Sequence, residues 1–103
     1  MSGANRHRGE ASLVVAGETL VLRPSFSALV AAEEELGPLF ALVEQASDGR
    51  LSLMQVTALF DHLSSTRPER ISRSAIGEAV VEQGLVAVAP LIKLVLGQIL
   101  QGR

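Results

Sequence analysis

The chain has 103 residues, of which 48% are hydrophobic, so it fits one compact domain with an apolar core and is not wholly disordered. It contains no cysteine, which excludes disulfides, thiolate zinc sites and a cysteine nucleophile. Its formal net charge of −2 argues against a nucleic-acid binder that works by neutralising phosphates.

The first residues of the chain, 1–8, are small, polar and basic, and we expect them to form a flexible arm. The apolar core of a secretory leader does not follow them, which predicts a cytoplasmic protein. The remaining residues, 9–103, are expected to fold as a single domain.

Two short runs rich in Leu and Val predict the strands of a β-hairpin over residues 9–23. Gly17 lies between the runs, and glycine readily adopts the positive φ that a tight hairpin turn needs. Leu13 and Val15 would share one face of the hairpin, with Val14 on the other. Since both faces are partly apolar, we expect other elements to cover the hairpin, or a second copy of the chain to pair with it.

Residues 25–103 show the spacing of apolar side chains that is typical of helices. Ser25, Ser52 and Ser72 can each cap the start of a helix, and the glutamine three residues after Ser52 completes a capping box. Pro38 can open a further short helix at its first position. The predicted fold class is therefore α+β, mainly α, with an N-terminal β-hairpin followed by a bundle of four or five helices.

The last apolar segment, 85–100, is too short to span a bilayer, which takes about 20 residues, and it also contains Lys93. Pro90 predicts a kink or a new helix start, because proline cannot donate a backbone hydrogen bond. The segment either fills the core or presents apolar surface to another protein. In the second case, the predicted partner-binding residues are Leu91, Val95, Leu96 and Ile99.

Few side chains suit catalysis or ligand binding. His62 follows Asp61, but adjacent residues of a helix point in different directions and do not form a catalytic pair. The sequence has no HExxH motif and no glycine-rich phosphate loop, so we predict no metal, no cofactor and no enzyme activity. The three glutamates at 33–35 fall in the last turn of a predicted helix, where they either meet solvent or attract a basic partner.

A helix-turn-helix DNA binder would fit at one place, the loop between the third and fourth predicted helices, which carries Arg67, Arg70 and Arg73. Glu69 and Glu78 lie among these arginines, and the loop is longer than the turn of about 3–4 residues typical of that motif. A small helical DNA-binding regulator is thus an alternative, which a salt-dependent shift of duplex DNA would support.

Six segments follow one another along the chain: NRHRGE (5–10), LRPSFSAL (22–29), ELG (35–37), GRLSL (49–53), EAVVEQGL (78–85) and AP (89–90). This ordered combination covers nearly the whole chain, and it resembles the gene-transfer-agent tail proteins of alphaproteobacteria. That phage-derived family is described as tail assembly chaperones and is sometimes labelled tail tube proteins. The specificity of the resemblance lies in the order of the segments, and it supplies no catalytic residues.

The resemblance implies a role in building a siphophage-like tail through protein–protein contacts. In such systems a small chaperone coats the tape measure protein and helps recruit tail tube subunits, so these two proteins are the implied partners. A structural tail tube component of the particle is the alternative. The mostly helical pattern favours the chaperone, because a tube subunit needs a substantial β-sheet to close into a ring. Neither nucleic acid nor a membrane is an expected partner.

Overall fold

The computed structural model describes residues 11–102. Its elements in chain order are β1 (Ala11–Val15), β2 (Glu18–Leu22), α1 (Phe26–Leu36), α2 (Leu39–Ser47), α3 (Leu53–Leu63), α4 (Arg73–Gln83) and α5 (Leu85–Gln101). The two strands pair antiparallel, and the five helices follow them. The predicted α+β, mainly α fold is thereby confirmed. The predicted arm, residues 1–8, lies outside the described residues.

The turn of the hairpin is formed by Ala16 and Gly17, whose φ angles are 51° and 81°. Positive φ at both central residues is typical of a type I′ turn, whose twist matches that of the flanking strands. Glycine adopts this conformation without strain, as predicted for Gly17. In Ala16, the Cβ atom approaches the following carbonyl oxygen, so this residue is strained.

One face of the hairpin is buried against the helices. The side chains on this face are at most 4% exposed, and they are Ala11, Leu13, Val15, Leu20 and Leu22. Strand β1 packs on α4 and α5, and strand β2 packs on α3. Val14 on the opposite face is 53% exposed. The hairpin thus gains the apolar cover that a two-stranded ribbon needs.

Serine hydroxyls begin three of the helices, as predicted. Ser25, Ser52 and Ser72 each accept a hydrogen bond from the backbone N–H three residues further on, at 3.3, 3.1 and 3.2 Å. Gln55 completes the capping box by accepting from the Ser52 backbone N–H at 2.8 Å.

Helix α2 begins at Leu39, so Pro38 lies just before the helix and not at its first position. The backbone N–H of Leu39 donates to the Glu33 carboxylate at 3.0 Å. A carboxylate is favourable at a helix start, because the first N–H groups have no partner within the helix. Glu33 thus caps α2 from the end of α1.

Helix α3 forms the centre of the helical part, since it packs against α1, α4 and β2. Its side chains from Val56 to Phe60 are all buried, and Phe60 is fully enclosed. Leu53, the first residue of the helix, is instead 42% exposed.

Helix α5 runs from Leu85 to Gln101 through Pro90, so of the two predicted alternatives the new helix start is wrong, and the kink stays a prediction. Pro90 cannot donate to the carbonyl of Val86, but Val86 is 89% exposed and water can satisfy that carbonyl. Within residues 11–102 no single helix is long and apolar enough to cross a membrane. Helices α4 and α5 have the length and composition of a membrane span only when they are taken together, and a bend of 117° separates them.

The strain at Ala16 leads to a stability prediction. Ala16→Asn should raise the free energy of unfolding by about 0.5–1 kcal/mol, because asparagine followed by glycine favours the type I′ turn. Gly17→Ala is the matched control and should lower it by about 1 kcal/mol. Urea unfolding followed by circular dichroism measures both variants. A loss of stability in Ala16→Asn would contradict the assigned turn.

Candidate functional site

The loop between α3 and α4 is held by the side chain of Arg67. Its Nε donates to the Ile71 carbonyl at 2.7 Å, and its Nη1 donates to the carbonyls of Asp61 and Ser64 at 2.9 and 3.3 Å. The guanidinium also contacts the Asp61 carboxylate. Two of these carbonyls belong to the last turn of α3 and to its C-cap, where they also accept backbone N–H groups, so Arg67 adds a charged donor that ties the loop to the end of α3.

A second arginine joins three helices. Arg73 at the start of α4 donates to Asp61 on α3 at 2.9 Å, and donates twice to Glu35 on α1 at 2.6 and 2.8 Å. The Nε2 atom of His62 lies 2.7 Å from a Glu35 oxygen. We call Glu35, Asp61, His62, Arg67 and Arg73 the ion-pair cluster. It fixes the positions of α1 and α4 on α3.

The charges within the cluster shift the pKa of two of its members. The hydrogen bonds from Arg73, and next those with His62, lower the pKa of Glu35 to about 2. The hydrogen bonds to Glu35 and Asp61 raise the pKa of Arg73 above its ordinary value. Both groups therefore stay charged near neutral pH, and the cluster acts as an electrostatic clamp. It does not have the properties of a general acid–base pair, which needs a pKa near the operating pH.

The three arginines on which the DNA-binding alternative depended are all engaged in ion pairs within the chain. Arg67 and Arg73 bind carboxylates of their own chain, and the guanidinium of Arg70 contacts the Glu18 carboxylate. These contacts neutralise the basic loop on which that alternative depended. Glu35, one of the glutamates expected either to meet solvent or to attract a basic partner, likewise binds basic residues within its own chain.

The exposed sides of α3 and α4 form an open groove of about 630 Å³. Helix α3 contributes residues of its first two turns, and α4 contributes residues along its whole length. The lining residues of this α3–α4 groove are Leu53, Met54, Thr57, Arg73, Ser74, Gly77, Glu78, Val81 and Glu82.

The lining is mainly apolar and open to solvent. Leu53, Met54 and Val81 are 42%, 76% and 63% exposed. At the floor, a Cβ atom on Gly77 would lie 3.4 Å from the Thr57 methyl group, so the two helices approach closely here. Exposed apolar side chains gathered in one depression are typical of a protein-binding surface, and methionine adapts its shape to a partner.

Acidic side chains form the rim of the groove. Glu78 and Glu82 are exposed, and neither forms an ion pair with any residue in 11–102. The charge of Arg73 at the other end of the groove is taken up by Glu35 and Asp61. The groove therefore carries a net negative charge that is free to act on a partner.

The four predicted partner-binding residues of α5 differ in accessibility. Val95 and Leu96 are buried in the core, at 0% and 3% exposed, while Leu91 and Ile99 are half-buried. Val95 and Leu96 thus help to anchor α5 on the core, and the accessible part of the set is Leu91 and Ile99. The binding role of all four stays a prediction.

The chain matches the family described as phage tail tube protein, GTA-gp10, over residues 8–102. It therefore belongs to this family of gene-transfer-agent and phage tail proteins. Neither a curated protein nor a solved structure matches it. The description of the family names a tail protein and no enzyme, which is consistent with the predicted lack of enzyme activity. The match confirms the predicted gene-transfer-agent tail family, and it leaves open which step of tail building the chain serves.

The arrangement of Arg67 predicts a large effect of its removal. Arg67→Ala should lower the free energy of unfolding by about 2–4 kcal/mol, because it removes the cation beside the Oδ1 atom of the largely buried Asp61 carboxylate, together with the hydrogen bonds from Arg67 to the loop carbonyls. Arg70→Ala is the control and should cost at most about 1 kcal/mol, since the pair that Arg70 forms is exposed. Chemical denaturation measures both, and equal effects would contradict the assigned role of Arg67.

The low pKa of Glu35 predicts a pH-dependent stability. In an unfolded chain the pKa of glutamate is about 4.3, so the stabilisation by Glu35 is complete above that pH and is lost as the pH falls towards 2. Glu35→Gln should remove much of this dependence. Thermal unfolding between pH 2 and 7, in low and high salt, tests it. Because Glu35 is partly exposed, high salt should weaken the effect. Identical pH profiles of stability for the wild type and Glu35→Gln would contradict the prediction.

Proposed function

We propose that the chain is a tail assembly chaperone of a phage-like particle, which binds the tape measure protein and helps recruit tail tube subunits around it. It acts in the cytoplasm before the particle is complete. The observation that carries the proposal is the open apolar α3–α4 groove on a mainly helical member of a tail family.

The balance of helix and strand supports the chaperone role. A tube subunit needs a substantial β-sheet to form a ring with its neighbours. Within residues 11–102 the sheet has two strands, and the five helices make up most of the chain. The exposed edges of such a hairpin offer little material for a continuous tube wall.

The surface properties support the same role. A tape measure protein is a long, largely helical rod whose apolar surface tends to self-associate while it is unprotected. A partner that covers it needs apolar surface of its own and a charge that keeps the complex in solution. The groove supplies the first of these, and the acidic rim together with the net charge of −2 supplies the second.

A structural tail component is the second candidate, and the printed description of the family as a tail tube protein favours it. The two roles differ in where the protein ends up. A chaperone leaves the tail when the tube has assembled, whereas a structural component remains in it.

Co-expression with the candidate tape measure protein tests the proposal. We expect the chain to raise the soluble fraction of the tape measure protein several-fold and to co-purify with it. Purified particles, examined by quantitative mass spectrometry, should lack the chain while the tube subunit is abundant. Stoichiometric amounts of the chain in finished particles would contradict the chaperone role and support the structural one.

A further inference from the structure

We propose that the α3–α4 groove binds one amphipathic helix of the tape measure protein. The apolar face of that helix lies on Leu53, Met54 and Val81, and its Lys or Arg side chains face Glu78 and Glu82. This inference rests on the proposed function, and it names the surface and the chemistry of the segment that the surface receives.

The length of the groove fits a helix of about three turns. Its lining on α4 runs from Arg73 to Glu82, which spans roughly 14 Å at a rise of about 1.5 Å per residue. A partner helix that lies along this distance contributes about ten residues. Its apolar side chains then recur at three- or four-residue spacing, which is the pattern of helices that dock into grooves.

The charges of the groove indicate which side chains flank the apolar face of that helix. Glu78 and Glu82 lie four residues apart on α4, so they share one side of the helix with their Cβ atoms about 6 Å apart. Two basic side chains one turn apart on the partner match this spacing. Arg73 does not oppose them, because its guanidinium is bound by Glu35 and Asp61.

The same charges disfavour a second copy of the chain as the occupant. In a symmetric pair, the two grooves would bring Glu78 and Glu82 of both copies together. Among residues 11–102, the one basic side chain that lines the groove is Arg73, and it is already engaged with two carboxylates. A basic amphipathic helix meets no such repulsion.

Binding of overlapping peptides that cover the tape measure protein, measured by fluorescence anisotropy with the purified chain, tests the proposal. We expect the tightest peptides to be amphipathic and basic. Val81→Glu should weaken their binding at least about tenfold, because it places a charge in the apolar contact. Val86→Glu is the matched control, since Val86 is 89% exposed on α5 outside the groove, and it should bind like the wild type.

A charge exchange gives the second arm. The double variant Glu78→Lys with Glu82→Lys should weaken the basic peptide, and replacing the basic residues of that peptide by Glu should restore binding to the variant. Circular dichroism should show the folded state in every variant.

Each outcome decides between the proposals. If Val81→Glu and the charge-reversed variant bind the peptides as tightly as the wild type does, the groove assignment is wrong. The chaperone role still stands in that case if the tape measure protein is solubilised. If sedimentation shows that the wild type is a dimer and that Val81→Glu is a monomer, the occupant of the groove is a second copy of the chain and not the tape measure helix. Failure of the wild type to bind either the peptides or the intact tape measure protein overturns the proposed function itself.

Discussion

The Asp61 carboxylate is the point on which the helical part of the chain depends. It lies near the end of α3, and it receives Arg67 from the following loop and Arg73 from the start of α4. Glu35 then ties Arg73 to α1. Partly buried ion pairs of this kind need good geometry, because their attraction must offset the cost of removing charges from water. They therefore fix the angle at which α4 leaves α3 more strictly than apolar contacts alone would.

That angle determines the candidate binding surface. The α3–α4 groove is the space between the exposed sides of the two helices that the cluster joins, and Arg73 belongs to both. The clamp neutralises Arg73 and leaves Glu78 and Glu82 as the free charges of the groove. A structural ion-pair network thus also sets the charge that a partner meets. In a tail protein family this offers a physical route from a local charge arrangement to the recognition of a helical partner.

Much of the fold follows from local sequence signals. The glycine of the hairpin turn, the serine caps and the capping box at Ser52 each act within a few residues, so the sequence predicts them correctly. In α1 the buried residues are Ala28 and Ala32, while Phe26 is 85% exposed. Close packing of α1 on α3 requires small side chains. The large apolar residues of α1 therefore do not identify the face of the helix that is buried.

The candidate site was not predictable in the same way. The contacts of Arg73 with Glu35, and of His62 with Glu35, join residues 38 and 27 positions apart, for which no local pattern exists. Met54 and Val81 lie outside the sets of buried residues on α3 and α4, and the sequence offered no further signal of a binding role for them. The four residues predicted on α5 include both buried and half-buried side chains, because the sequence of a helix that is apolar on most sides does not reveal which side is covered.

Hydrogen–deuterium exchange of the chain, alone and bound to the tape measure protein, tests the central claim most directly. We expect slower exchange on binding at the start of α3 and along α4, with α5 and the hairpin unchanged. Slower exchange confined to α5 or to the outer face of the hairpin, with α3 and α4 unaffected, would contradict it.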